Sequence, residues 1–218
     1  MLALSHEVHA ISFDYGQRHN VELAYAASEC DRLKIPHTII PLAFMRDVST
    51  KSSQTSSTPV PEGFYADSNM RKTVVPNRNM IMLALAAAYA IDNDFENIAY
   101  GAHAGDHDIY PDCRAPFINA MSQALKLCDW HDVTLWAPFT AWDKRKIYSW
   151  GMVYKLDYTR AWTCYNGRAD GVACGRCGSC VERLHAFHDI GKEDPLPYED
   201  KTFYLDAIAK ERDLSGEA

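Results

Sequence analysis

The chain has 218 residues, enough to bury a full hydrophobic core, and that length suits one domain with a small appendage better than two equal domains. Its 22 basic and 29 acidic residues give a net charge of -7, which argues against a broad phosphate-tracking surface and so against nucleic acid as the default partner. At 47% hydrophobic and 23% charged residues it has an ordinary globular composition. No stretch reaches the roughly 20 apolar residues of a membrane span, and "MLALSHEV" lacks the basic region, apolar run and cleavage site of a secretory signal, so a cytoplasmic protein is expected.

Residues 8–13, "VHAISF", alternate poorly and predict a mostly buried strand of a parallel sheet. From Arg18 to Leu33 apolar residues recur at Val21, Leu23, Ala24, Ala27 and Cys30, close to helical spacing, and "KIP" closes that helix. "HTIIPL" gives a second strand, parallel to the first across a short right-handed crossover. Residues 45–75, with "STKSSQTSSTPVPEG", show no apolar period and predict a long loop, either a lid or binding loop or plain disorder. "NRNMIMLALAAAYAIDN" then predicts an apolar helix, "NIAYGAH" a strand, "RAPFINAMSQALKLC" a helix and "DVTLWAPF" a strand. "TAWDKRKIYSWGMVY" predicts a further helix, N-capped by Thr140 or Asp143. This alternation implies a three-layer, doubly wound α/β domain with a mainly parallel sheet over residues 1–160, followed by a metal-binding segment and helical tail over 161–218. Ligands of such sheets bind beyond the carboxyl ends of the strands.

Seven cysteines, an odd number with one cluster, suit metal better than disulfides. "CYNGRADGVACGRCGSC" places Cys164, Cys174, Cys177 and Cys180 in a C-x9-C-x2-C-x2-C array. Two CxxC steps let thiolates converge on one ion, and the interleaved glycines permit the tight turns this needs. Four sulfur ligands suit a structural zinc ion; an iron–sulfur cluster and unliganded redox thiols are the alternatives. The glycines and the wide first spacing lean toward zinc.

Polar residues gather after the strands, in "DYGQRH", "VPNRN" and "GAHAGDHDIYPDCR". Asp14, Tyr15, Arg18, Arg78, Asn79, Asp106, Tyr110, Asp112 and Arg114 supply carboxylates, guanidinium groups and aromatic surface. Together they suit a flat heterocycle with hydrogen bonds at its edge and an anion on an arginine. Taken singly each has a structural reading: Asp112 as N-cap of the helix near Arg114, the tyrosines as packing, Cys113 as a packing thiol rather than a nucleophile, Lys144 as a solvated charge. His103 and His107 lack the pattern of a metal pair. A nucleic-acid surface on the cysteine loop would draw on Arg168, Arg176 and Arg183, against the acidic total.

With "FDYGQRH", "VPNRN", "YPDCR" and the four-cysteine array in this order, the sequence closely resembles the 7-cyano-7-deazaguanine synthases, or QueC/ExsB-like proteins, from about residue 7 to about residue 190. They belong to the adenine nucleotide α-hydrolase-like, PP-loop ATPase superfamily. The resemblance implies conversion of 7-carboxy-7-deazaguanine and ammonia to the nitrile in queuosine and deazapurine biosynthesis, with ATP and Mg2+ as co-substrate, one structural Zn2+ per chain, and room for a homodimer. It places the zinc ligands on Cys164, Cys174, Cys177 and Cys180. It places substrate contacts on Tyr15, Arg78, Asn79, Asp106 and Asp112, and a phosphate contact on Lys144 through "P-x5-K". It assigns no catalytic residue.

One departure stands out. The superfamily opens with a strand and a Ser-Gly-Gly-x-Asp-Ser loop whose amides cradle ATP phosphates, and no such run occurs in these 218 residues. "LALSH" resembles the last turn of the helix after that loop, which would make the strand at 8–13 the second of its sheet. The alternative to an active synthase is therefore a truncated, inactive, zinc-containing protein that binds a deazapurine or a partner.

Overall fold

Two strand–helix–strand units carry the parallel pairing that the alternation along the chain predicts. The computed structural model describes residues 6–64 and 68–215, with side chains to residue 210; most of the helical turn expected at residues 2–6 lies outside them. In the first unit β1 (Ala10–Asp14) pairs in parallel with β2 (His37–Pro41), Ala10 opposite His37 and Asp14 opposite Pro41, with α1 (Val21–Leu33) between them in sequence. Lys34, left-handed at φ 56°, ends α1, and Ile35 donates back to Cys30 O at 2.8 Å. The strand expected to be mostly buried is half-buried throughout. Among the described residues this sheet has two strands, so neither is flanked on both edges.

By Cα proximity the chain divides into two compact units, residues 1–74 with 148–218, and residues 75–147. In the first, the long loop departs from what its composition predicts. Among the described residues of that stretch, 45–64 and 68–75, there is regular structure: α2 (Met45–Val48) opens it and a 3-10 helix, Ser68–Thr73, lies near its end. Between them Ser49, Ser52, Ser53, Gln54 and Thr55 are buried. The hydroxyls that removed any apolar period fold the loop onto itself. Ser56 Oγ donates to Ser52 O at 2.7 Å, Thr55 Oγ1 donates to Ser49 O, and Ser53 N–H reaches Lys72 O at 2.7 Å. Arg18 pins the loop from "DYGQRH", its N–H on Gln54 O at 2.7 Å and its guanidinium on Thr58 O at 3.2 Å.

In residues 75–147, β3 (Asn97–Ala99) pairs in parallel with β4 (Thr134–Trp136). α3 (Arg78–Asp92) precedes β3 and buries Asn79, Leu83, Ala87 and Ala90, a stripe at helical spacing. α4 (Ala115–Leu125) joins the strands and buries Ile118, Met121 and Leu125. Both strands stop earlier than the sequence suggests. His103 opens a 3-10 turn, Ala104–Asp106, by accepting from Gly105 N–H at 3.1 Å, and Pro138, lacking an N–H, follows β4. α5 (Lys144–Val153) is capped by Asp143, whose Oδ1 accepts from Lys146 N–H at 2.8 Å; the Thr140 hydroxyl donates to Ala137 O instead. α6 (Gly178–Asp189) and α7 (Phe203–Ser215) pack together at the C-terminal end.

Candidate functional site

The cysteine array folds into a closed, buried centre. One Sγ from each of Cys164, Cys174, Cys177 and Cys180 lies within 4.8 Å of all the others, and all four residues are buried. Cys164 and Cys174 stand 3.5 Å apart, Cys174 and Cys180 3.9 Å. Four sulfurs bound ~2.3 Å from one tetrahedral ion are ~3.8 Å apart, so this spacing suits a single ion. A four-iron cluster binds each thiolate to a different iron and holds the sulfurs further apart.

Backbone amides converge on the same sulfurs. Asn166 and Cys174 N–H donate to Cys164 Sγ, each at 3.3 Å; Arg176 and Cys177 to Cys174 Sγ at 3.5 and 3.4 Å; and Tyr165 to Cys177 Sγ at 3.5 Å. Such donors favour thiolates. Hydrogen bonds among the four sulfurs hold the Cys174 thiol far below the ordinary range and push Cys177 and Cys180 well above it, so the group shares its remaining protons. A bound cation takes the place of those thiol protons. Apolar residues seal the centre: Trp162, Ala173 and Leu196 are buried in it, and Val21, Tyr25 and Val60 pack against it. Glu62 forms an antiparallel bridge with Cys177, and Gly63 N–H donates to Arg176 O at 3.0 Å, so the end of the Ser/Thr-rich loop is tied to the knuckle.

A second polar group lies in residues 75–147 and unites two motifs. Asn79 N–H, from "VPNRN" in the first turn of α3, faces Asp112 Oδ2, from "YPDCR", at 3.4 Å, and Asn79 Nδ2 is 3.6 Å from Cys113 Sγ. The Asp112 carboxylate therefore sits at the head of α3. α4, the helix it was expected to cap, has Arg114 at its N-cap with no side-chain cap bond. Arg78 lies 5.9 Å from the centre of the Tyr110 ring. Tyr100 donates to Asp112 O at 3.2 Å and stands 3.6 Å from Cys113 Sγ. Burial, then the charge of Asp106, pushes the Cys113 thiol up to about 12, which leaves it protonated and inert as a nucleophile. Asp106 Oδ2 is 3.3 Å from His103 Nε2; because His103 Nδ1 accepts from Gly105, the ring proton sits on Nε2, toward the carboxylate.

Lys144 is the half-buried first residue of α5. Tyr15 belongs to the other unit, on the turn after β1, where it is buried and its N–H meets Gln17 Oε1 at 2.9 Å. Of the arginines weighed for nucleic acid, Arg168 pairs with Asp170 at 2.8 Å, Arg176 lies 3.8 Å from Glu62, and Arg183 is fully buried against Asp194. That arrangement offers no basic surface from Arg183. Sequence reasoning missed Tyr100 and the Arg183–Asp194–Tyr198 group. The signal for Arg183 was its spacing, three residues after Cys180 and four before Phe187, on the buried stripe of α6.

The family described as "Queuosine biosynthesis protein QueC" matches residues 1–191. The chain is similar to proteins named 7-cyano-7-deazaguanine synthase. The one from Marinobacter nauticus is 51% identical over 193 residues, 88% of this chain and 86% of its own. That from Methanoregula boonei is 48% identical over 194 residues, 89% and 88% of the two chains. That from Caldicellulosiruptor saccharolyticus is 47% identical over 194 residues, 89% and 85%.

Proposed function

The chain belongs to the QueC family of queuosine biosynthesis proteins, and we propose that it makes 7-cyano-7-deazaguanine from 7-carboxy-7-deazaguanine, ammonia and ATP. The observation that carries this reading is identity of 47–51% to proteins of that name over 193–194 residues. The inactive binding protein is not favoured, since the named synthases match 88–89% of this chain. For the fold we propose the three-layer, doubly wound arrangement of the PP-loop superfamily.

The chemistry follows from leaving-group ability. A carboxylate oxygen departs poorly until it carries a phosphate. The substrate carboxylate attacks the α-phosphate of ATP, releasing pyrophosphate and giving an acyl adenylate; ammonia displaces AMP to form the amide, with loss of a proton. The amide oxygen attacks a second ATP, again releasing pyrophosphate, and loss of AMP and the remaining N–H protons leaves the nitrile. Each substrate oxygen departs on AMP, so no free water is expelled. Within residues 75–147 we assign Asp112, at the head of α3, to the N–H edge of the deazaguanine, with Arg78, Asn79 and Asp106 around it. Lys144 is assigned to ATP phosphate, with Mg2+ accompanying the nucleotide. For Tyr15 the substrate role rests on its motif position alone.

Cys164, Cys174, Cys177 and Cys180 are assigned to one zinc ion, a crosslink with no open coordination position and hence no part in the reaction. The test is incubation of the full chain with 7-carboxy-7-deazaguanine, ammonium and Mg-ATP, followed by mass spectrometry. Nitrile with two AMP per turnover is expected. Calorimetric binding of the deazapurine with neither nitrile nor AMP formed would overturn the synthase in favour of the binding protein.

A further inference from the structure

The four cysteines arrive on three stretches of chain: Cys164 after the 3-10 helix Tyr158–Arg160, Cys174 in the glycine-rich strap, and Cys177 and Cys180 at the head of α6. Arg183 lies one turn beyond Cys180 on that helix, and its side chain has no exposure. Its guanidinium reaches the other two stretches or what anchors them. Nη1 donates to Ala161 O and Nη2 to Tyr158 O at 2.9 Å, fixing the segment that enters Cys164, whose carbonyl takes the Trp162 indole N–H at 3.0 Å.

On its other side Arg183 grips Asp194, Nε on Oδ2 at 2.6 Å and Nη2 on Oδ1 at 2.9 Å. Asp194 also accepts from the Tyr198 hydroxyl at 2.7 Å and from Leu196 N–H at 3.1 Å, which fixes the stretch 194–198. That stretch holds the neighbour of Cys174: Ala173 N–H donates to Pro197 O at 2.9 Å, and Glu199 N–H to Ala173 O at 2.8 Å.

A buried ion pair gains little net stability over packed apolar residues, because desolvation offsets its attraction; what a bidentate fork adds is geometry. Here the fork joins the carriers of all four thiols. We infer that Arg183 is the positioning residue of the cysteine centre, holding its three ligand-bearing stretches in register so that the sulfurs meet around one ion. This rests on the metal reading above.

The experiment follows release of zinc from the metal-loaded full chain to a chromogenic chelator, below the melting transition of each variant. Arg183→Met combined with Asp194→Leu removes both charges while keeping apolar volume. Release about 10- to 100-fold faster than wild type is expected, the range typical of lost outer-shell partners. Arg183→Lys, which keeps the charge but not the fork, is expected to speed release too, and Tyr198→Phe to do so less. A merely structural role lowers the melting temperature of these variants and leaves release unchanged. If the paired variant does not fold, Arg183→Lys and Tyr198→Phe decide on the same terms. Release within about twofold of wild type in every folded variant overturns the role of Arg183 while the metal reading stands. A wild-type chain that takes up no metal overturns both.

Discussion

Asp112 Oδ2 faces the Asn79 backbone N–H at 3.4 Å, so the carboxylate of one motif closes the first turn of the helix that begins in the other. The first N–H groups of α3 have no partner within the helix, and an anion there is favoured by the helix dipole. The same carboxylate is the one assigned to the substrate edge, and the two roles separate by magnitude. Asp112→Asn should cost no more than about 1 kcal/mol of stability, yet weaken deazapurine binding by about tenfold or more, because it removes a charged acceptor. Thermal melting and calorimetry check this; a large loss of stability with normal binding would make Asp112 a helix cap alone.

The cysteine centre predicts about one zinc per chain by metal analysis. Cys177→Ser should lose it, since that sulfur shares the buried site with the other three. Because Cys177 also bridges to Glu62, metal loss should loosen the end of the Ser/Thr-rich loop. Trypsin should then cut at Arg176, in the stripped chain much faster than in the loaded one. Equal cleavage of the two would show that the knuckle holds without its ion.

Sequence patterns revealed the elements whose signal is local. The strand–helix–strand units were readable because apolar spacing and short connections determine parallel pairing, and the cysteine array because CxxC steps confine sulfurs within a few residues. Burial of the Ser/Thr-rich loop was not readable: its stability comes from hydroxyls bonding backbone that is near only after folding, as with Thr55 on Ser49. Arg183 was hidden for the same reason. An arginine three residues past the last cysteine looks solvated until Asp194, 11 positions away, is seen to meet it. The juxtaposition of Asn79 and Asp112 spans 33 positions and was visible only as two motifs at strand ends.

Cys113 should behave as a packing residue. Its thiol is pushed from the ordinary 9.0 up to about 12, first by burial and then by Asp106. At pH 8 iodoacetamide should therefore modify it far more slowly than exposed Cys128, as peptide mass spectrometry would show. The linkage has a definite sign. Below pH 9 both states keep the proton and Cys113 adds no pH dependence; from pH 9 toward 12 the unfolded state ionises first and stability falls. The loss approaches at most about 1.4 kcal/mol per pH unit within that window. Denaturant melts of the wild type and Cys113→Ala should diverge in that window and run parallel below it.

Gly175 tests how tightly the C-terminal stretch clasps the knuckle. It lies between Cys174 and Cys177 at φ +79°, and a Cβ there would stand 1.7 Å from Asp200 O, a backbone atom that no side-chain rotation moves aside. Asp200 itself is fixed, its Oδ1 accepting from Thr202 and Phe203 N–H at 2.9 and 3.0 Å as α7 begins. Gly175→Ala thus combines a left-handed backbone with a collision against a capped helix start. It should destabilise the loaded chain by more than about 1 kcal/mol, and relief requires moving either the CxxC turn or the stretch 194–200. Gly191→Ala is the matched control, with φ +65° but no atom within 4 Å of the added Cβ. Zinc release faster in Gly175→Ala than in Gly191→Ala would show that the stretch presses on the metal site; equal release would reduce Gly175 to a backbone requirement.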